Sequence, residues 1–142
     1  MFDLSSVSTD CTTEPGEYMS SEDVGASEQL ERSLIEIAVE SWRFSRLFSR
    51  VVAKLDAGEA NRYVNQLRYF QKKVEESLEA NELKLVNVEG QLFDPGIAAA
   101  ALNIGDFGPD DQLLVEQMVE PIIMGPTGLK KQGIVLLGKV QQ

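Results

Sequence analysis

The chain has 142 residues, 43% of them apolar, which predicts one folded domain with an appendage. Its formal net charge is −10, and it contains no histidine and a single cysteine. The negative charge disfavours nucleic acid and anionic membranes as partners, and the lack of histidine removes the commonest general base and metal ligand. Catalytic and cofactor motifs are also missing. We therefore expect a protein that is not an enzyme and needs no cofactor or metal.

The N-terminal segment has a different composition from the rest of the chain. Residues 1–26 are rich in Ser, Thr, Asp and Glu, and their apolar residues follow no period. Such a segment cannot bury enough apolar surface to fold, so we expect a disordered acidic leader. The start shows no secretory signal, the longest apolar run is too short to cross a bilayer, and the lone cysteine fits a reducing compartment. These features predict a soluble, cytoplasmic protein.

A long amphipathic helix is predicted to begin at Ser27, with Glu28 and Glu31 in its first turn. Apolar residues then recur every three or four positions, a heptad pattern that predicts a dimer interface. These residues are Leu30, Leu34, Ile37, Phe44, Phe48, Val51 and Leu55. Further apolar residues beside them widen the stripe, which is typical of a helical bundle. We expect Asp56, Ala57 and Gly58 to end this helix, because Gly58 can take the left-handed capping conformation.

A second helix is predicted over residues 59–81, which makes residues 27–82 an antiparallel helical hairpin. The first helix, of about 28 residues, would be about 42 Å long, and a hairpin of that length cannot enclose its own wide apolar face. We therefore expect two hairpins to pair as a homodimeric four-helix bundle. The alternative is that the second half of the chain folds back over the hairpin.

The remaining residues, 83–142, show strand patterns and predict a small all-β domain, so that the fold class is α+β. A strand is expected before Gly90, and residues 98–104 could form a short strand or a helical turn. A β-hairpin is predicted around the turn at residues 125–128, in which Pro121 must lie at an edge or a bulge.

A basic stripe lies on the first helix, where the residues fall three or four apart and share one face. It comprises Arg43, Arg46, Arg50 and Lys54, with Arg62 nearby on the second helix. One interpretation is ordinary helix charges that pair with neighbouring acids. The functional interpretation is a contact for an acidic protein partner.

One motif is more specific than these general signals. Residues 85–95, Leu-Val-Asn-Val-Glu-Gly-Gln-Leu-Phe-Asp-Pro, follow directly after a long helix. Gly90, Phe93, Asp94 and Pro95 match a junction of an apolar strand, a Gly, two variable positions and Phe-Asp-Pro. This resembles the GrpE family, the nucleotide exchange factors of DnaK-type chaperones, over roughly residues 28–140. The chain departs from the family where Ala98 and Ala99 replace its usual His and Glu.

The resemblance implies a homodimer whose β unit and adjacent helical face bind the nucleotide-binding domain of a DnaK-type chaperone and favour loss of ADP. It also implies that Gly90, Phe93, Asp94 and Pro95 are structural. The candidate partner contacts are Lys130, Lys131, Gln132, Met124, Ile122, Arg50, Lys54 and Arg62. The family's contact arginine has no Arg counterpart here; Lys131, with Lys130, is the nearest substitute, and Gln132 is the alternative equivalent. Two other functions remain open: an acidic secretion-type chaperone that holds a client, and an inactive dimeric scaffold.

Overall fold

A computed structural model describes residues 21–141 of the chain. Helix α1 spans Ser21–Val52 and helix α2 spans Ala57–Glu79. Residues 1–20 of the predicted disordered leader lie outside the described part of the chain, whereas residues 21–26 belong to α1. The helix begins earlier than Ser27 because Glu22 and Asp23 place carboxylates in its first turn, where they complement the positive end of the helix dipole.

The connection between the helices differs from the prediction. Asp56, predicted to end α1, instead caps the start of α2, because its side chain accepts a hydrogen bond of 3.0 Å from the backbone N–H of Glu59. Gly58 lies inside the first turn of α2 and has no positive φ, so its predicted role as a left-handed cap is wrong. The two helices are therefore joined by a very short turn over residues 53–56.

Six short strands follow the helices and form two three-stranded sheets. The first sheet has the order β1-β4-β5, from Lys84–Val86, Ile122–Gly125 and Gly128–Lys131, and is antiparallel. The second has the order β2-β6-β3, from Ala99–Ala101, Gly133–Lys139 and Leu113–Glu120. In it β2 runs parallel to β6, and β3 runs antiparallel to β6. Ile104–Asp106 forms one 3₁₀ turn.

The predicted β-hairpin is present, but each of its arms is divided between the two sheets. Pro121 separates β3 from β4, and it is fully buried. Because proline has no N–H to donate, it interrupts the ladder at that point, as the sequence predicts. The tip is the two-residue connection 126–127. Gly128, which follows it at the start of β5, adopts a positive φ of 139°. The hairpin thereby ties the two sheets into one β unit.

Two clusters of buried side chains hold the fold together. The first joins the helices to the first sheet through Ala38, Val39, Leu78, Leu83 and Ile123. The second fills the β unit and comprises Val88, Ala99, Val115, Met118, Ile122, Val135 and Leu137. Both clusters belong to the compact unit Leu34–Gln142, and the preceding unit, up to Ser33, is described only as the start of α1. The prediction of an α+β fold, with two long helices followed by small sheets, is confirmed.

Candidate protein-binding site

Four large apolar side chains of α1 lie on the surface of the unit Leu34–Gln142. Ile37, Phe44 and Val51 follow one another at intervals of seven residues and are 62%, 57% and 52% exposed, and Leu47 is 53% exposed. We call these four residues the apolar stripe. Residues seven apart return to nearly the same side of an α-helix, so Ile37, Phe44 and Val51 form one line along it. The second half of the chain leaves this line uncovered.

The other predicted interface residues are more enclosed, with the exception of Leu30. Leu34, Phe48 and Leu55 are half-buried, and Leu30 is 71% exposed in the part of α1 that precedes Ser33. Phe48 stacks on Phe44 with a centroid separation of 5.9 Å and meets Tyr63 of α2 edge-on at 6.3 Å. The aromatic contacts therefore extend the apolar stripe from α1 towards α2.

The opposite side of α1 is fixed to the β unit by polar contacts. The indole Nε1 of Trp42 donates a hydrogen bond of 2.8 Å to the backbone oxygen of Met118. One residue further along α1, Arg43 pairs with Glu120 at 3.1 Å. These contacts show how the β unit packs against one side of the helix and leaves the apolar stripe free.

The predicted basic stripe divides into two parts. Arg46, like Arg43, contacts the β unit: its guanidinium meets the Glu89 carboxylate at 2.6 Å and lies 4.5 Å from the centre of the Trp42 ring. For this first part, pairing with nearby acids is the correct interpretation. The second part is exposed, and Arg50 and Lys54 make no ion pair with any residue of the range 21–141.

Arg62, the remaining helical candidate, lies at the start of α2. It is exposed, and its guanidinium sits 5.2 Å from the centre of the Tyr63 ring. Its charge is therefore presented beside the aromatic contacts that extend the apolar stripe.

Two of the candidate contacts on the hairpin, Lys130 and Lys131, lie at an edge of the first sheet. Strand β5 is an edge strand, and it carries the exposed residues Leu129 and Lys130. Lys131 is turned inward: its Nζ lies 2.8 Å from a Glu120 carboxylate oxygen and 2.7 Å from the backbone oxygen of Gln132. The edge therefore offers one exposed apolar side chain and one exposed cation.

The other hairpin candidates differ in their accessibility. Gln132 is exposed and Met124 is half-buried. Ile122 is only 4% exposed and packs in the core of the β unit, so its prediction as a partner contact on the surface is wrong.

The residues of the motif at 90–95 lie within the β unit, between strands β1 and β2, and they bond to strand β3. Gly90 has a φ of 87°, a conformation that favours glycine, and its N–H donates to Val115 O at 2.8 Å. Phe93 packs against the β core. Asp94 accepts a hydrogen bond of 2.6 Å from the Gly96 N–H, which closes the turn that contains Pro95.

Neither a family model, nor a curated protein, nor a solved structure shows significant similarity to this chain. Within residues 21–141, no helix is both long and apolar enough to cross a membrane. The same range holds no group of three or more His, Cys, Asp or Glu side chains arranged for a metal ion.

Several contacts that organise these surfaces had no signal in the sequence. The hydrogen bond from Trp42 to Met118 spans 76 residues, and the contact of Arg43 with Glu120 spans 77. No local pattern of spacing connects residues so far apart. The exposure of Leu47, by contrast, could have been anticipated, because it lies three residues after Phe44 and thus on the same side of the helix.

Proposed function

We propose that the protein is a homodimeric co-chaperone that binds the nucleotide-binding domain of a DnaK-type chaperone and accelerates ADP release. The observation that carries this proposal is the motif at Gly90, Phe93, Asp94 and Pro95. These residues resemble the GrpE family in sequence, and they make one compact connection between strands β1 and β2. The backbone N–H groups of Gly90 and Phe93 donate to strand β3, which holds this connection against the rest of the β unit.

Dimerisation through the apolar stripe is the first part of the proposal. A monomer would leave the four side chains of the stripe more than half exposed along one line of α1. Contiguous apolar patches of this kind are uncommon on soluble monomers and mark interaction sites. A second copy of the chain is the occupant that the heptad spacing favours, because helices with residues seven apart pair along their length. The predicted four-helix bundle supplies that arrangement.

Binding of the chaperone is the second part. The proposed contacts are the exposed cations Arg50 on α1, Lys54 in the turn between the helices and Arg62 on α2, together with Lys130 and Leu129 on the edge of β5. Charges at the rim of an interface set the rate and orientation of association, whereas apolar side chains contribute more to its lifetime. Both kinds of side chain are present on this edge.

The exchange reaction needs no catalytic residue in this protein. If the protein binds the open form of the chaperone's nucleotide cleft more tightly than the closed form, it raises the population of the open form and ADP leaves faster. By linkage, bound nucleotide must weaken the association of this protein with the chaperone by the same factor by which this protein weakens nucleotide binding. A protein without catalytic histidine or a metal cluster in its described part is compatible with this mechanism.

An inactive dimeric scaffold is the second candidate. It is favoured by Lys131, the residue proposed to replace the family's contact arginine, because Glu120 and the backbone of Gln132 already engage its ammonium group. The secretion-type chaperone is disfavoured by architecture. Such chaperones place strands between helices, whereas here both long helices precede every strand of residues 21–141.

Release of labelled ADP from a DnaK-type chaperone of the same cells tests the exchange function. We expect the full-length protein to accelerate release, and Lys130→Ala to lower this acceleration about two- to fivefold, as loss of one rim charge does. Lys139→Ala is the matched control, because Lys139 is an exposed lysine of the same β unit on strand β6. Absence of acceleration with every such chaperone would reject exchange and leave the scaffold.

A further inference from the structure

A partly enclosed cleft of about 330 Å³ lies between α1, α2 and the strand β1 with the segment that follows it. It is separate from the apolar stripe, none of whose four residues lines it. Its volume falls at the lower end of the range found for ligand sites in proteins, about 300–1,000 Å³. The cleft is thus large enough for a side chain or a small molecule.

Three serines keep this cleft open. Ser41, Ser45 and Ser49 follow one another at intervals of four residues on α1, and all three line the cleft. Larger apolar residues at these helical positions would fill the space and bury more surface, as the rest of the helix interface does. The row of small residues is therefore a feature that maintains an open volume.

Ser45 supplies an independent observation. It is only 3% exposed, and its hydroxyl makes no hydrogen bond within the described residues 21–141. A buried hydroxyl without a partner destabilises a protein, and serines in helices commonly avoid this by bonding to the carbonyl four residues earlier. The Ser45 hydroxyl therefore retains an unused capacity for hydrogen bonding beside the cleft.

The charge of the lining residues indicates which ligand fits. Arg46 and Glu89 both line the cleft, but they neutralise each other at 2.6 Å. Glu75 is the charged lining residue that makes no ion pair with any residue of the described part. Phe70, 41% exposed, adds an aromatic wall. A carboxylate, hydroxyl acceptors and an aromatic face are the groups that bind an ammonium or guanidinium on an aliphatic stem.

We propose that this cleft binds a lysine or arginine side chain presented by a partner protein. A free small amine would remain largely in water in a cleft that is only partly enclosed, whereas effective small-molecule sites bury most of their ligand. A side chain carried on a partner's backbone needs the cleft only for its stem and its charged end. The proposal does not depend on the exchange function, since it follows from the cleft alone.

The single tryptophan of the chain makes the test direct. Trp42 lines the cleft, and its indole Nε1 donates to Met118 O. The indole N–H signal in an NMR spectrum of the full-length protein is therefore one resolved reporter of occupancy. We expect saturable shifts on titration with the N-acetyl amides of arginine and lysine. Neither the N-acetyl amide of norleucine, which is neutral, nor the free diamine putrescine should produce a comparable shift at equal concentrations.

Variants assign the binding to these residues. Glu75→Gln should weaken binding of the arginine amide about two- to fivefold, the range for an exposed ion pair. Glu79→Gln is the matched control, since it removes one exposed carboxylate from the same helix without touching the cleft, and it should leave affinity unchanged. Ser45→Leu should abolish the shift by filling the cleft. Because that variant introduces bulk into a buried position, Ser45→Ala provides a second measurement, in which affinity falls but the fold remains.

Four outcomes would overturn the proposal. They are no shift with either basic amide, an equal shift with norleucine amide, a shift with putrescine at least as large as with the basic amides, and equal weakening by the changes at Glu75 and Glu79. The first would mean that the cleft holds water only, and the third that it takes a free amine rather than a protein side chain. The fourth would mean that general charge, rather than the cleft, attracts the probe. None of them bears on ADP release.

Discussion

Replacing Phe44 by alanine tests whether the apolar stripe joins two copies of the chain. Full burial of such a side chain contributes about 1.5–3 kcal/mol, and Phe44 is 57% exposed in the single chain. Each copy can therefore gain about 1–1.5 kcal/mol on pairing by covering the rest of this ring. In a symmetric dimer the change occurs twice, so we expect Phe44→Ala to cost about 2–3 kcal/mol of association free energy.

This loss corresponds to an increase of the dimer dissociation constant by roughly 30- to 150-fold. Sedimentation equilibrium over a range of protein concentrations measures it directly. Tyr69→Ala is the matched control, because Tyr69 is a 61% exposed aromatic residue of α2 outside the apolar stripe and should leave the dissociation constant unchanged. A wild-type protein that sediments as a monomer, or equal effects of the two substitutions, would refute the assignment of the stripe as a dimer interface.

Three further predictions concern the stability of the fold. Leu78→Ala should lower the free energy of unfolding by about 2–5 kcal/mol in urea titrations, because Leu78 is fully buried between the helices and the first sheet. A loss below about 1 kcal/mol would contradict that packing. Asp56→Ala should cost about 1 kcal/mol, measured in the same way, because the N–H of Glu59 loses its capping acceptor, whereas Asp56→Asn should retain most of the stability. Gly90→Ala should cost about 1–2 kcal/mol because of its positive φ, and Gly105→Ala, at a position with open space and no positive φ, should show no such loss in thermal unfolding.

The sequence predicts the order of elements because the helical and strand periods are clear. Residues spaced three and four apart identify both helices, and the turn at residues 125–128 identifies the hairpin. The end of α1 was not predictable, because Asp56 and Gly58 together fit either a helix end or a helix start. The hydrogen bond from Glu59 to Asp56 decides this, and it depends on the conformation of a single residue.

The candidate surfaces could likewise be predicted only in part from the sequence. Spacing correctly places Arg43, Arg46 and Arg50 on one side of α1, but it cannot tell which of them meets an acid from a distant strand. Only the packing of the β unit shows that Arg43 and Arg46 face Glu120 and Glu89, whereas Arg50 faces solvent. Local periodicity thus defines a helix face, and the long-range fold decides how much of that face is available to a partner.

The contacts of Trp42, Arg43 and Arg46 with the β unit also have a mechanical consequence. They attach one side of α1 to strand β3 and to the segment between β1 and β2 within about one helical turn, so a tilt of the helix relative to the sheet would have to break a hydrogen bond and two ion pairs together. In a dimer joined along α1, this attachment would couple the orientation of each β unit to that of its own helix.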